Sequence, residues 1–492
     1  MKKDAEVFLK KYCIHSLSDL TKCILKYHTK LDPELIYNAA ELLNPNKDNN
    51  SAYFTDMIIC NEIFKKFPKF NDKNHIKILE PSVGAGVFLS FIAEHFKNKK
   101  IVEIWINDID MVQSNLAKLI FNNFYAKKYP NVIINTLNHD YLELEIKNKQ
   151  FDLIIGNPPY QKLKSNNKKI AKYKNITKIT KSTNLFVYFF KKALNDAKVV
   201  SLIVPKSLLN APEYVELRNI LNQYQIESII DFGEKGFDGV KIETINLVVD
   251  TQKKPEITYV KSITNKIELN QKQLYITDDK FPTWLIYRNN FFDEYSETLQ
   301  LGIFSVFRDR QISSKNCKTT GTIRVLRSRN IETNNVIAIP KYDLFLDCVN
   351  KLYVAKYLNK ENIICLPNLS YKPRACFLPK NCIADGSVAL LETKVQLSKE
   401  DLTIFETNDF RNYYHIARNY ATRSLNIDSN SIYYFGVKKK NEIFKWWRNN
   451  FFYKSTWLWC KENWKCKMDR SKMHSGCIMY NCWLYIWVLS SK

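Results

Sequence analysis

Asn157, Pro158, Pro159 and Tyr160 stand directly behind the apolar run FDLIIG at 151–156. Proline neither donates to a sheet nor continues a helix, so the spacing predicts a buried strand that stops at a stiff loop. Held rigid, an Asn side-chain carbonyl and a neighbouring Pro carbonyl form two hydrogen-bond acceptors. Two acceptors can take both hydrogens of one amino group, which draws its nitrogen toward a tetrahedral, more nucleophilic geometry. The Tyr160 ring beside them can stack on the heterocycle that carries the amine. Asn-Pro-Pro turns also arise by chance, but this one ends the fourth of a series of regularly spaced apolar runs, which favours chemistry.

Upstream, ILEPSVGAGVFLSFIAEHF places Glu80 at the end of a first strand, Gly84 and Gly86 in a tight turn, and a helix start near Val87. Glycines let backbone approach a ligand, and a helix N-terminus presents free N–H groups. The short GxG is common to many nucleotide folds and is weak alone. In WINDID, Asp108 lies about 20 residues beyond Gly86, a distance suited to an acid that holds ribose hydroxyls. Asp110 reads as the N-cap of the next helix. Asp140, in LNHDYLEL behind the third strand, is placed to accept from an adenine amino group, with a solvated turn aspartate as an equal alternative.

The elements that must position these residues are legible as apolar runs at 76–79, 101–106, 131–135, 151–155, 199–204, 226–232 and 244–250. Helical stretches such as DMVQSNLAKLIFNNF lie between most of them. Strands alternating with helices predict an α/β domain with a seven-stranded, mainly parallel sheet. The last two runs are too close for a crossover helix and are expected to pair antiparallel at the sheet edge. We read 1–45 as an N-terminal helical segment, 46–260 as the sheet domain and 261–440 as a second, α+β domain. Residues 441–492 hold seven of the nine Trp and four of the twelve Cys without a clean period. That tail reads as an out-of-frame or decayed terminus and is assigned no function.

The 492 residues carry a formal charge of +24, which points to a polyanionic partner, with an AT-rich coding bias contributing. No run approaches the ~18 apolar residues of a membrane helix, and the start MKKDAEVFLKKYC carries charges inside its first apolar stretch. A cytoplasmic protein with free thiols is expected, with no membrane partner and, absent any CxxC pair, no metal site. No GxxxxGK[ST] loop is present, so ATP-driven translocation is not expected. Asp385, Glu392 and Lys394 only faintly suggest a nuclease site and read as chance.

With NPPY behind FDLIIG, EPSVGAG upstream and SAYFT at 51–55 before that, the chain resembles the N6-adenine DNA methyltransferases of bacterial restriction–modification systems, in the gamma-class order of motifs. The resemblance runs from about Ser51 to Asp250, with a looser likeness to about residue 435. It implies a Rossmann-like S-adenosylmethionine-dependent methyltransferase domain followed by a DNA target recognition domain. It implies Thr55 and Glu80 at the methionine end of the cofactor, Gly84 and Gly86 beneath it, Asp108 at its ribose and Asp140 at its adenine. It also implies that Asn157 and Pro158 grip the target N6 amine. Tyr160 would stack on the flipped base, with Phe237, or failing that Phe232, on the other side. The implied partners are double-stranded DNA and a cognate restriction endonuclease, and the expected state is a monomer. Two departures stand out: Asn195–Lys198 (NDAK) replaces a Gly-rich turn, and Asp56 replaces a Pro after Thr55. The alternatives are methylation of RNA adenine, a catalytically dead DNA-binding specificity protein, and methylation of a release-factor glutamine, the last disfavoured by the long C-terminal part.

Overall fold

The computed structural model describes residues 2–44, 57–164, 166–234, 242–368, 373–422 and 427–439. Four helices lead in: α1 (Lys2–Lys11), α2 (Leu17–Tyr27), α3 (Pro33–Leu42) and α4 (Met57–Phe64). Ser16 caps α2 by accepting from the Asp19 amide, and Asp32 caps α3, whose first turn opens on Pro33. Ala5, Leu20, Ile24 and Ile36 of these helices share one hydrophobic core with Ile78, Leu153 and Val200 of the sheet. The N-terminal helices are therefore part of the sheet domain rather than a segment apart.

All seven apolar runs become strands: β1 (His75–Glu80), β2 (Ile101–Asn107), β3 (Val132–Leu137), β4 (Phe151–Gly156), β5 (Ala197–Pro205), β6 (Gln225–Gly233) and β7 (Thr244–Asp250). Two more follow, β8 (Ile257–Ser262) and β9 (Ile267–Lys272), giving the order β3-β2-β1-β4-β5-β7-β6-β8-β9. The sheet is Rossmann-like. β1 to β5 run parallel, and β7 is antiparallel to both β5 and β6.

The structure corrects two expectations. β7 lies inside the sheet, between β5 and β6, and every one of its residues is buried. The sheet also continues past 260, a boundary that cuts through β8. β8 alternates buried and open positions and pairs parallel with β6, while β9 is mostly polar and pairs only with β8. A strand at an edge needs no apolar run of its own, and β9 offers only Ile267 and Leu269 alternating with polar residues, too weak a pattern to mark it.

Between the strands lie α5 (Val87–His95), α6 (Met111–Phe124), α7 (Lys168–Thr177), α8 (Leu185–Asp196) and α9 (Val215–Leu221). β4 is buried at all six positions, as expected for a strand covered on both faces. The missing glycine turn before β5 is replaced by a direct passage from α8 into the strand, held by Lys149. Its ammonium donates to the carbonyls of Leu194 and of Ala197 (3.1 Å) and to Thr251 Oγ1 (2.7 Å).

Beyond Lys272 the chain builds two further cores. One is aromatic, with Phe292, Phe405, Phe410, Tyr413 and Tyr434. The other holds Val325, Leu326, Ile363, Ile383 and Leu390 on short strands. Residues 281–287 serve two cores at once: Phe281 and Leu285 enter the aromatic one, Trp284, Ile286 and Tyr287 the core of the large sheet. Tyr287 donates to Asp231 of β6 at 2.6 Å, and Lys206 reaches the same carboxylate at 2.8 Å. Asp385 lies 3.6 Å from Arg327 and Glu392 pairs with Lys360, so the two acids face different partners. Among the described residues no His, Cys, Asp or Glu group has a metal-holding arrangement, and no helix is long and apolar enough to cross a membrane.

Candidate active site

Parallel strands deliver their C-terminal ends to one rim, and the residues just past each end become neighbours there. Asn107, buried at the end of β2, ties this rim together. Its Nδ2 donates to the carbonyls of Pro81 and His139, each at 3.0 Å, and its Oδ1 accepts from the His139 amide at 3.1 Å. Its own carbonyl accepts from the Val83 amide at 2.9 Å. The loops after β1, β2 and β3 thus hang on one side chain. Sequence reasoning passed over it, although it directly precedes Asp108 in WINDID.

The rim encloses a cavity of about 390 Å³ whose walls include Glu80, Gly84, Gly86, Asp108, Asp140 and Asn157. Residues drawn from four strand ends, 77 positions apart between Glu80 and Asn157, therefore meet at one space. Thr55 and Phe237 lie outside the described residues. Phe232, the reserve for Phe237, is buried within β6 and cannot offer a face to a ligand.

Glu80 is buried, and its Oε2 has no hydrogen-bond partner among the described residues. Burial, and then the charge of Asp108, push its carboxyl well above the ordinary range. Burial also raises Asp108, against the opposing pull of three backbone amides, those of Asp110, Gly84 and Ile109. Asp108 Oδ1 accepts from Asp110 N and Oδ2 from Gly84 N, both at 3.0 Å. Asp110 is the N-cap of α6, accepting from the Val112 amide at 2.9 Å. Gly84 and Gly86 take left-handed backbone, with φ of +51° and +81°. At Gly86 the demand comes from packing as well as from the cavity. A Cβ there would sit 2.8 Å from the Ala117 Cβ of α6.

Asp140 lines the cavity and is engaged on both oxygens. Oδ1 accepts from the Leu142 amide at 3.1 Å, and Oδ2 from the Tyr173 hydroxyl at 2.6 Å and Lys169 Nζ at 3.0 Å. Both side-chain donors come from α7, a helix to which sequence reasoning assigned no role.

In the Asn-Pro-Pro-Tyr loop, Asn157 and Pro159 face the cavity while Pro158 and Tyr160 do not. The Asn157 carbonyl accepts from Ser82 Oγ at 3.1 Å, which joins the loops after β1 and β4. The Tyr160 hydroxyl donates to Asn157 Oδ1 at 2.7 Å. The Tyr160 ring is only 7% exposed and meets Phe186 edge-on, with centroids 6.2 Å apart and planes at 82°. Here the structure departs from the expected stacking platform, because the ring is packed under the loop and its hydroxyl orients the amide.

Residues 21–237 match the model of the Eco57I restriction-modification methylase family. The chain is 27% identical over 266 residues to modification methylase CviBIII of Paramecium bursaria Chlorella virus NC1A, covering 52% of this chain and 66% of that protein. It is 28% identical over 210 residues to the type II methyltransferase M.AccI of Acinetobacter calcoaceticus, covering 40% of this chain and 34% of that protein. The match thus spans less than two thirds of either relative. Among solved structures, the type IIL restriction-modification enzyme MmeI in complex with DNA aligns over 82% of this chain and 71% of its own, with a TM-score of 0.53 at 12% identity. At that identity the fold is what the two share. The likeness to the Eco57I restriction-modification methylase model is confined to residues 21–237, less than half of the chain.

Proposed function

We propose that the protein transfers a methyl group from S-adenosylmethionine to the N6 amino group of an adenine in double-stranded DNA, as the modification activity of a restriction–modification system. The observation that carries this reading is the Asn157 amide, fixed by Tyr160 at the wall of a cavity that also holds three acids at strand ends. The residues present fit the cofactor. The unpartnered Glu80 Oε2 is an acceptor suited to an ammonium group. In this reading Asp108 accepts from vicinal hydroxyls, and Asp140 keeps acceptor capacity beyond the donors from α7. When bound, S-adenosylmethionine supplies an electrophilic methyl on a sulfonium centre.

The chain's own residues then do the rest. Asn157 Oδ1 accepts from the amine, and rate comes from orientation and a fixed acceptor; Pro158, which does not line the cavity, would have to turn its carbonyl inward to share that role. The target base must leave the duplex at a cost of a few kcal/mol. For Tyr160 to stack on it, the ring would have to leave Phe186, so its first task in this reading is to hold Asn157. The formal charge of +24 favours a polyanionic substrate such as duplex DNA. A restriction endonuclease acting on the same sites is the partner this reading implies.

The test is to incubate the purified chain with labelled S-adenosylmethionine and, separately, duplex DNA, RNA and a release factor, and to map N6-methyladenine in the DNA. Label in DNA that Asn157→Ala abolishes is the expected result. Label confined to RNA or protein would overturn the reading.

A further inference from the structure

Between the Asn-Pro-Pro-Tyr loop and α8 the chain makes an excursion whose neck is an antiparallel bridge, Lys162 to Asn184. Leu163 N donates to Thr183 O at 2.9 Å and Leu185 N to Gln161 O at 3.0 Å, so the excursion starts and ends beside the loop that carries Asn157. Its described part, 166–184, is firmly seated. Ile170, Tyr173, Thr177 and Ile179 are buried, Lys169 and Tyr173 hold Asp140, and Glu216 of α9 accepts from the amides of Thr180 (2.8 Å) and Lys181 (2.9 Å).

The charge on this element is one-sided. From 166 to 181 there are six lysines and no Asp or Glu. Lys169 pairs with Asp140 and Lys172 with Glu143. Lys168, Lys174, Lys178 and Lys181 have no carboxylate within ion-pair distance among the described residues. Three of the four are exposed and Lys174 is half-buried. Lys168 opens α7, Lys174 stands in its last turn and Lys178 ends it in a left-handed conformation, so the three, with Lys181 beyond, string positive charge along the element. The inner side of the same helix lines the cavity through Asn167, Lys169 and Tyr173.

We propose that α7 and the turn after it, through Lys168, Lys174, Lys178 and Lys181, form a docking surface for the phosphate backbone of duplex DNA beside the target base. The inference rests on the DNA reading above and adds a location to it. The excursion holds the backbone next to the cavity, so the neck that positions Asn157 also fixes where the strand lies. Its seat on Asp140 ties this surface to the residue expected at the cofactor adenine.

The experiment measures affinity for a duplex against salt for the wild-type chain, a quartet in which Lys168, Lys174, Lys178 and Lys181 become Gln, the same quartet changed to Arg, and a control in which Lys3, Lys10, Lys11 and Lys26 of the N-terminal helices become Gln. Each phosphate neutralised contributes about −0.9 to the slope of log K against log salt. The Gln quartet is expected to flatten the slope by about 3 to 4, to weaken binding at least tenfold at ~0.1 M salt, and to leave S-adenosylmethionine binding and the melting temperature unchanged. The Arg quartet is expected to keep the wild-type slope, and the control to stay close to it. A wild-type slope near zero would overturn the DNA reading and this inference together. A steep wild-type slope that the Gln quartet retains, or that the control flattens equally, would overturn this inference alone.

Discussion

Replacing Tyr160 with Phe separates the two roles open to this residue. The substitution removes the hydroxyl that donates to Asn157 Oδ1 at 2.7 Å and leaves a ring of the same shape against Phe186. A neutral hydrogen bond of this kind is worth about 0.5–1.5 kcal/mol net. If the bond serves to hold the amide for the amine, losing ~1 kcal/mol of transition-state stabilisation slows methyl transfer about fivefold. Affinity for DNA and cofactor should not change, because neither contact is removed. If the ring instead serves as a stacking face, Tyr160→Phe keeps the wild-type rate. The assay is single-turnover methylation of a matched duplex and of one whose target adenine is mispaired, a change that lowers the extrusion cost. Positioning predicts the same fivefold deficit on both duplexes. Tyr160→Ala should lose more than activity, since a cavity under the loop costs about 3 kcal/mol or more of stability. A wild-type rate for Tyr160→Phe, or a deficit that mispairing removes, would refute the positioning role.

Glu80→Gln should stabilise the cofactor-free protein and weaken cofactor binding. The folded carboxyl titrates above its ordinary value of 4.5, so its contribution is present below that value and is lost as pH rises through the folded pKa. The gain in melting temperature over wild type should accordingly be larger at pH 8 than at pH 4; an equal gain at both would contradict it. Asp108→Ala strips acceptors from the Gly84 and Asp110 amides, at about 1–3 kcal/mol for each one left unsatisfied, and should also weaken S-adenosylmethionine. Denaturant unfolding and calorimetric titration check the two effects separately. Gly86→Ala meets both a left-handed backbone and the Ala117 Cβ, so it should cost about 1–3 kcal/mol. Adding Ala117→Gly should recover only the steric part; full recovery in unfolding measurements would show that the backbone angle does not matter.

Much of the fold was legible because burial on both faces leaves a local mark. β4 and β5 are continuous apolar runs, and Asp110 sits where an N-cap must sit. What was not legible has no local mark. A short connection between β6 and β7 fits an edge hairpin as well as an inserted strand. Only the pairing of β7 with β5 along its whole length, Thr244 opposite Pro205 to Asp250 opposite Val199, decides between them. β9 is mostly polar, as a strand at an edge can be. Asn107 looked like one more strand residue, and its value lies in three backbone partners that come from other loops.

For the site the division is similar. Glu80, Gly84, Gly86, Asp108, Asp140 and Asn157 could be picked from the sequence because each follows the end of an apolar run, and a parallel sheet brings such ends to one rim. Their number along the chain therefore determined that they would share a cavity. Their state was decided by the tertiary structure alone. The Glu80 carboxyl is pushed above its ordinary range because it is buried, and then because Asp108 stands beside it. Asp140 is engaged because α7, about 30 residues on, folds back over it. Tyr160 lies beneath its loop with its ring edge-on to Phe186 of α8, and its hydroxyl donates to Asn157 Oδ1, two contacts that no local pattern announces.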